Sequence, residues 1–131
     1  MAKQGEPVAS VNDISRISSL TSVRGDISSN TDVRIDGKVE GTLYSTGRIV
    51  VGPQASIKGA VLCENLDLRG RVDGDVYVKD TLSLKDSSVV DGSIHVRRLG
   101  VEIGAQINGS CSMITEEEFD KYVSTVVKNT L

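Results

Sequence analysis

The chain has no tryptophan, one phenylalanine, three tyrosines and one histidine in 131 residues. Globular cores take much of their buried area from aromatic rings, so this core must be built from smaller side chains. Its two cysteines, Cys63 and Cys111, make no disulfide framework. A lone histidine, His95, cannot supply the three or four ligands of a zinc site. No apolar run approaches the roughly 18 residues of a membrane span. The opening MAKQGEPVAS has no apolar stretch like that of a secretory signal, so a cytosolic protein is expected. A basic excess is also missing: 15 Lys and Arg stand against 18 Asp and Glu, for a net charge of −3. A dedicated nucleic-acid binder would carry the opposite balance. The length suits one domain.

Glycine is plentiful, at 13 residues, and its spacing is regular. An apolar-x-Gly-x-apolar motif recurs at Val23–Ile27, Val39–Leu43, Ile57–Val61, Val72–Val76, Val90–Ile94 and Ile107–Cys111. Its glycines, Gly25, Gly41, Gly59, Gly74, Gly92 and Gly109, are 16, 18, 15, 18 and 17 residues apart. Between them lies an apolar-x-apolar motif at Val33–Ile35, Ile49–Val51, Leu66–Leu68, Leu82–Leu84 and Leu99–Val101, spaced 16, 17, 16 and 17. Two interleaved motifs with one period define a repeat.

Within each motif the apolar period is two, the period of a strand, and the residues are Val, Ile and Leu between polar neighbours. A unit of about 17 residues is too short for a helical repeat or a propeller blade. It holds about three short strands and their corners. We therefore expect an all-β, single-domain right-handed parallel β-helix of about six coils, since parallel crossovers are almost always right-handed. No six-residue regularity supports the left-handed hexapeptide alternative. One inward column reads Ile27, Leu43, Val61, Val76, Ile94, Cys111, and another Val33, Ile49, Leu66, Leu82, Leu99. Both cysteines are thereby expected as small core residues. Glycines are expected where a corner or a close backbone approach penalises a Cβ.

The repeat occupies residues 21–114. Residues 1–20 carry scattered apolar side chains without a helical stripe and are expected to be a flexible tail, with weak membrane contact as the lesser reading. Residues 115–131 read as an amphipathic helix. Thr115 and Glu118 make a capping box, and Phe119, Tyr122, Val123, Val126 and Val127 form one apolar face over about 12–14 residues. Such a helix is marginal alone, so it needs a surface: the last coil of its own chain or a second chain.

A β-helix ends in two open edges, and solenoids without polar caps stick together. The expected contact surfaces are Val23, Ile27, Val33 and Ile35 on the first coil, and Ile103, Ile107, Cys111 and Met113 on the last. Two outward rows also follow from the register. Arg24, Glu40, Lys58, Asp73, Asp91 and Asn108 alternate in sign over the first four members, which favours correct pairing. Tyr44, Leu62, Tyr77 and His95 form an exposed ladder, read as ordinary stacking or as a partner face. No phosphate loop, paired catalytic carboxylates or Ser-His-Asp set can be assembled, and the hexapeptide of β-helical acyltransferases and the nonapeptide of calcium β-rolls are both missing. No enzyme activity, cofactor or metal is expected.

The stretch TSVRGDISSNTDVRIDGKVEGTLYSTGRIVVG, followed by GAVLCENLDLRGRVDGDVYVK, resembles the bactofilins, polymer-forming cytoskeletal proteins of bacteria. RIDGKVEG, GRIVVG and VDGDV are its most family-like pieces, and the likeness covers about residues 16–113. It implies a right-handed β-helix that polymerises end to end into non-polar filaments without nucleotide. It also implies a place in the bacterial cytoplasm at the inner face of the membrane, where such filaments position cell-wall enzymes that set cell shape. Residues 1–20 hold no clear match to the short membrane-contacting motif frequent in the family. The amphipathic C-terminal segment also differs from the polar, Pro-rich tails common there. The competing expectation is a non-polymerising binding module or dimer, capped by its C-terminal helix.

Overall fold

The computed structural model describes residues 14–127. Its described residues form ten strands: β1 (Ile14–Ile17), β2 (Ser22–Arg24), β3 (Ile27–Ser29), β4 (Asp32–Ile35), β5 (Lys38–Ser45), β6 (Arg48–Val51), β7 (Ser56–Leu68), β8 (Arg71–Leu84), β9 (Val89–Val101) and β10 (Gln106–Met113). Helix α1 (Glu116–Tyr122) follows and continues as a π-helical turn, Val123–Val127. Every strand pair is parallel. The architecture is the all-β solenoid that the repeat implies, with six coils.

Each coil has three faces. Face one stacks β1, β4, β6 and the second halves of β7, β8 and β9. Face two begins with β2 and the first half of β5, and face three with β3 and the second half of β5; both end in β10. The long strands turn corners without breaking their ladders. Pairing is like on like: Ile49 lies on Leu66, Leu66 on Leu82 and Leu82 on Leu99. The variation in period is absorbed at corners. One residue, Glu64, separates faces three and one in the third coil, where Lys79 and Asp80 stand in the fourth and Arg97 alone in the fifth, and the register shifts at this corner on both sides of the fourth coil.

The six motif glycines form the corner between faces two and three. All have positive φ, from +127° to +150°, in the region that side chains with a Cβ avoid. From Gly41 onward, a Cβ would also overlap the carbonyl oxygen of the glycine one coil earlier. The column is glycine for two independent reasons, backbone conformation and contact between coils.

The core fills the solenoid with aliphatic side chains, from Val33 and Ile35 to Ile94 and Val96, all essentially inaccessible. Each fully buried Val, Leu or Ile stabilises the fold by about 1.5–3 kcal/mol relative to exposure. Outside, the row Arg24, Glu40, Lys58, Asp73, Asp91, Asn108 is in register from coil to coil. Asp73 and Asp91 are like charges on adjacent coils. Arg71 reaches both, and Asn108 Nδ2 donates to Asp91 Oδ1 at 2.8 Å. The Asn108 hydrogen bond, with help from Arg71, holds the Asp91 carboxyl below its ordinary value.

Strand β1 lies inside the segment assigned to the tail. Its residues pair with β4, Ser15 on Val33 and Ile17 on Ile35, so the solenoid already includes Ile14–Ile17, ahead of the boundary expected at residue 21. Residues 1–13, the rest of the expected tail, lie outside the described residues.

Candidate assembly surfaces

At the C-terminal end the inward columns run out uncovered. Leu99, Val101, Ile107, Cys111 and Met113 pair with the fifth coil or the fourth on one side, and no described residue covers the other. Met113 is 62% and Val101 50% exposed. Cys111 is also exposed, so it is not the core residue its column suggests; it is the final member of that column. Cys63, in the third coil, is fully buried, and burial pushes its thiol far above the ordinary value.

The N-terminal end is more polar. Ser15 and Ser29 occupy inward positions there, beside half-buried Ile17, Val23 and Ile27. The hydroxyls of Ser15, Ser29 and Ser45 gather around Thr31. Val33 and Ile35, expected on this surface, are buried. The correction has a simple cause: β1 supplies a further layer over them. The signal for β1 is present in the sequence, since Ile14-Ser-Arg-Ile17 parallels Asp32-Val-Arg-Ile35 one coil away, but Ser15 breaks the apolar alternation.

Two apolar tips stand out, of which the repeat pattern marks only Ile103. Leu20 is 99% and Ile103 98% exposed. Both are central residues of the tight loop joining faces one and two, closed by Thr21 N–H to Ser18 and by Ala105 N–H to Glu102. The same loop in the third and fifth coils carries Pro53-Gln54 and Asp86-Ser87. Apolar tips therefore mark the first and last coils.

The flank differs from the expectation. Tyr44, Leu62, Tyr77 and His95 do stack in register, but they are not an exposed ladder. Leu62 is inaccessible and Tyr77 nearly so. The helix covers them: Phe119 is buried against Leu62, Tyr77 and Ile114, with Tyr122, Val123, Val126 and Val127 packed around. The capping box is formed, Glu118 N–H donating to Thr115 Oγ1 at 3.2 Å and Thr115 N–H to Glu118 Oε1 at 3.0 Å. The helix thus lies on its own chain, along the side of the solenoid rather than over the last coil. Arg97 meets Glu116 at 3.0 Å and Lys79 meets Asp120 at 4.0 Å, so one helical turn advances as the solenoid drops one coil. A rung spacing of about 4.8 Å and a helical pitch of about 5.4 Å make that match possible.

His95 stacks on Tyr77 with centroids 4.9 Å apart and planes within 8°, and Tyr122 tilts across both. Its Nδ1 is buried without a hydrogen-bond partner. Burial raises the Tyr77 phenol above its ordinary value. Among the described residues no group of three or more His, Cys, Asp and Glu is placed to hold a metal. No helix there is long and apolar enough to cross a membrane.

The solenoid leaves Val101, Cys111 and Met113 exposed at its C-terminal end, and comparison with known proteins places its sequence in a family. The family model for bactofilins, described as polymer-forming cytoskeletal, matches residues 15–112. The chain belongs to the bactofilin family. The matched span begins inside β1 and ends in β10, so it coincides with the solenoid and leaves the helix outside. Bactofilin BacO of Myxococcus xanthus is 28% identical over 101 residues, 77% of this chain and 80% of BacO. Bactofilin BacP of the same organism is 26% identical over 91 residues, 70% of this chain but 38% of BacP, so the chain spans well under half of that relative. No solved structure gives a significant match. Bactofilins are structural cytoskeletal proteins rather than enzymes, which accords with a molecule whose distinctive features are its ends and its covered flank.

Proposed function

We propose that this bactofilin is the subunit of a nucleotide-independent filament that grows by end-to-end burial of terminal coils. The observation that carries the proposal is the C-terminal end, where Val101, Cys111 and Met113 lie exposed at the mouth of the core while the helix, instead of covering them, lies on the flank. Stacking a second copy there buries apolar surface at about 25 cal/mol per Å² and pairs the free edge of the last coil. A filament needs contacts at both ends. Leu20, Ile14 and the half-buried Val23 and Ile27 supply the second. In the cell such a filament would serve as a cytoplasmic scaffold at the inner face of the membrane, supporting cell shape by positioning cell-wall enzymes or membrane proteins. The family description supports the scaffold role. Membrane contact through the N-terminal segment is a part of the proposal that falls largely on residues 1–13, outside the described residues.

Negative-stain electron microscopy of the purified chain, with no nucleotide or metal added, tests the reading. Filaments are expected for the natural sequence. Ile103→Asp and Leu20→Asp alter side chains almost wholly in solvent, so both should fold normally and shorten or abolish the filaments. Full-length filaments from both variants would sink the end-contact proposal.

A further inference from the structure

We propose that the flank of the solenoid is an exchangeable helix-docking site, and that its occupant in the assembled state is the C-terminal helix of a second copy of this chain. The inference deepens the proposed end-to-end assembly and rests on it for the encounter between C-terminal coils.

The seat is built for a particular helix. Leu62, Tyr77 and His95 form its floor, and Arg97 and Lys79 stand at its edge to meet acids four residues apart, Glu116 and Asp120. A second copy carries the same helix, so it fits by construction. The present occupant is held incompletely. Among its described residues Phe119 is the one buried side chain, while Tyr122, Val123, Val126 and Val127 remain partly exposed. His95 Nδ1 is left without a partner beneath it. A helix this short does not persist free in water, so it must sit on one copy of the seat or another. Only Ile114 and Thr115 join it to β10, which belongs to the coil proposed to meet a neighbour.

Direction decides which neighbour. The helix runs from the last coil toward the first: Glu116 contacts the fifth coil and Asp120 the fourth, and Val123 and Ser124 lie near Tyr44 and Thr46 of the second. To sit the same way on another copy it must enter over that copy's last coil. The two C-terminal coils must then face each other about a two-fold axis, and each copy both gives and receives a helix. Across such a junction the neighbour's fifth coil is about two rungs away, roughly 10 Å. Three extended residue steps from Met113 to Glu116 reach about 10 Å. The tether is long enough to cross, and short linkers of this kind favour exchange.

The test uses two full-length chains, both carrying Cys111→Ala, which keeps an apolar side chain at the end contact and is first checked by microscopy to assemble as the natural sequence does, co-expressed with different affinity tags. One carries Lys79→Cys and the other Asp120→Cys. Cys63 is buried and stays silent. After treatment with a short bismaleimide, mass spectrometry identifies 79–120 linked peptides. A single chain with both substitutions reports occupancy of the seat, and Arg97→Cys with Glu116→Cys repeats the measurement one turn away. The expected result is a covalent pair joining differently tagged chains. If the doubly substituted chain links internally and the co-expressed chains do not link, exchange is overturned. If neither pair links within or between chains, the helix does not use this seat, and the proposal fails as well. Micrographs of the same samples keep the two readings apart. Filaments without interchain links leave the end contact standing and remove exchange. Links without filaments keep exchange as a paired subunit and count against the filament.

Discussion

Gly74 shows how a single residue can be fixed from two sides. Its φ of +138° disfavours any side chain, and a Cβ there would overlap the Gly59 carbonyl oxygen one coil below. Gly74→Ala should therefore cost roughly 3 kcal/mol, read as a lower urea midpoint with an unchanged slope. Gly100→Ala is the control, because nothing lies within 4 Å of its Cβ position and its effect should be small. Tyr77 carries a second residue-scale expectation. Burial raises its phenol above the ordinary value of 10.0, so the docked state holds the proton more tightly than the undocked one. The stabilisation is complete below that ordinary value and is lost as pH rises through the value of the docked state. Helical circular dichroism should fall together with the rise of tyrosinate absorbance at alkaline pH. Tyr77→Phe keeps the ring against His95 and should remove that coupling; a helix signal that falls identically in Tyr77→Phe would show that another group is responsible.

At the scale of elements, the helix and the flank it covers are one unit. Phe119→Ala removes the only buried side chain of α1, at a cost of about 3 kcal/mol, more than a marginal helix can bear. The helical signal should vanish while the solenoid's strand signal and thermal unfolding persist; loss of both together would mean that the helix is part of the solenoid's folding unit. Much of this element-level organisation is legible in the sequence, because a strand exposes its period directly and a solenoid stacks like on like. The columns through Leu43 and Leu66 follow from motif spacing alone, and so does the row from Arg24 to Asn108. Strand β1 does not, since Ser15 replaces the apolar residue that the motif requires. The capping box and apolar face mark the helix, but they do not mark its seat. Tyr44, Leu62 and Tyr77 face away from the core, and strand periodicity alone makes them look exposed. Finding the seat requires joining two apolar stripes that each lack a partner. The acidic Glu116 and Asp120, spaced to meet Arg97 and Lys79, are the charge signal that joins them.

At the scale of the whole molecule, a solenoid has no intrinsic length, so its ends decide whether it stops. The N-terminal end is moderated by the hydroxyls around Thr31, whereas the C-terminal end presents Val101, Cys111 and Met113 with no polar layer of described residues over them. The stronger junction should therefore form between C-terminal coils, with the N-terminal contact weaker and more readily broken by dilution. Cys111 reports directly on that junction. In dispersed Ile103→Asp chains, a water-soluble thiol reagent at neutral pH should modify Cys111 and leave Cys63 untouched until the chain unfolds, because burial keeps the Cys63 thiol protonated and out of reach. In assembled natural protein Cys111 should react at least about tenfold more slowly, as expected for a thiol removed from solvent. Dilution that separates only the N-terminal contacts should leave this protection in place. Equal Cys111 rates in dispersed and assembled protein would place the C-terminal coil outside the junction, and the filament would have to be built through another surface.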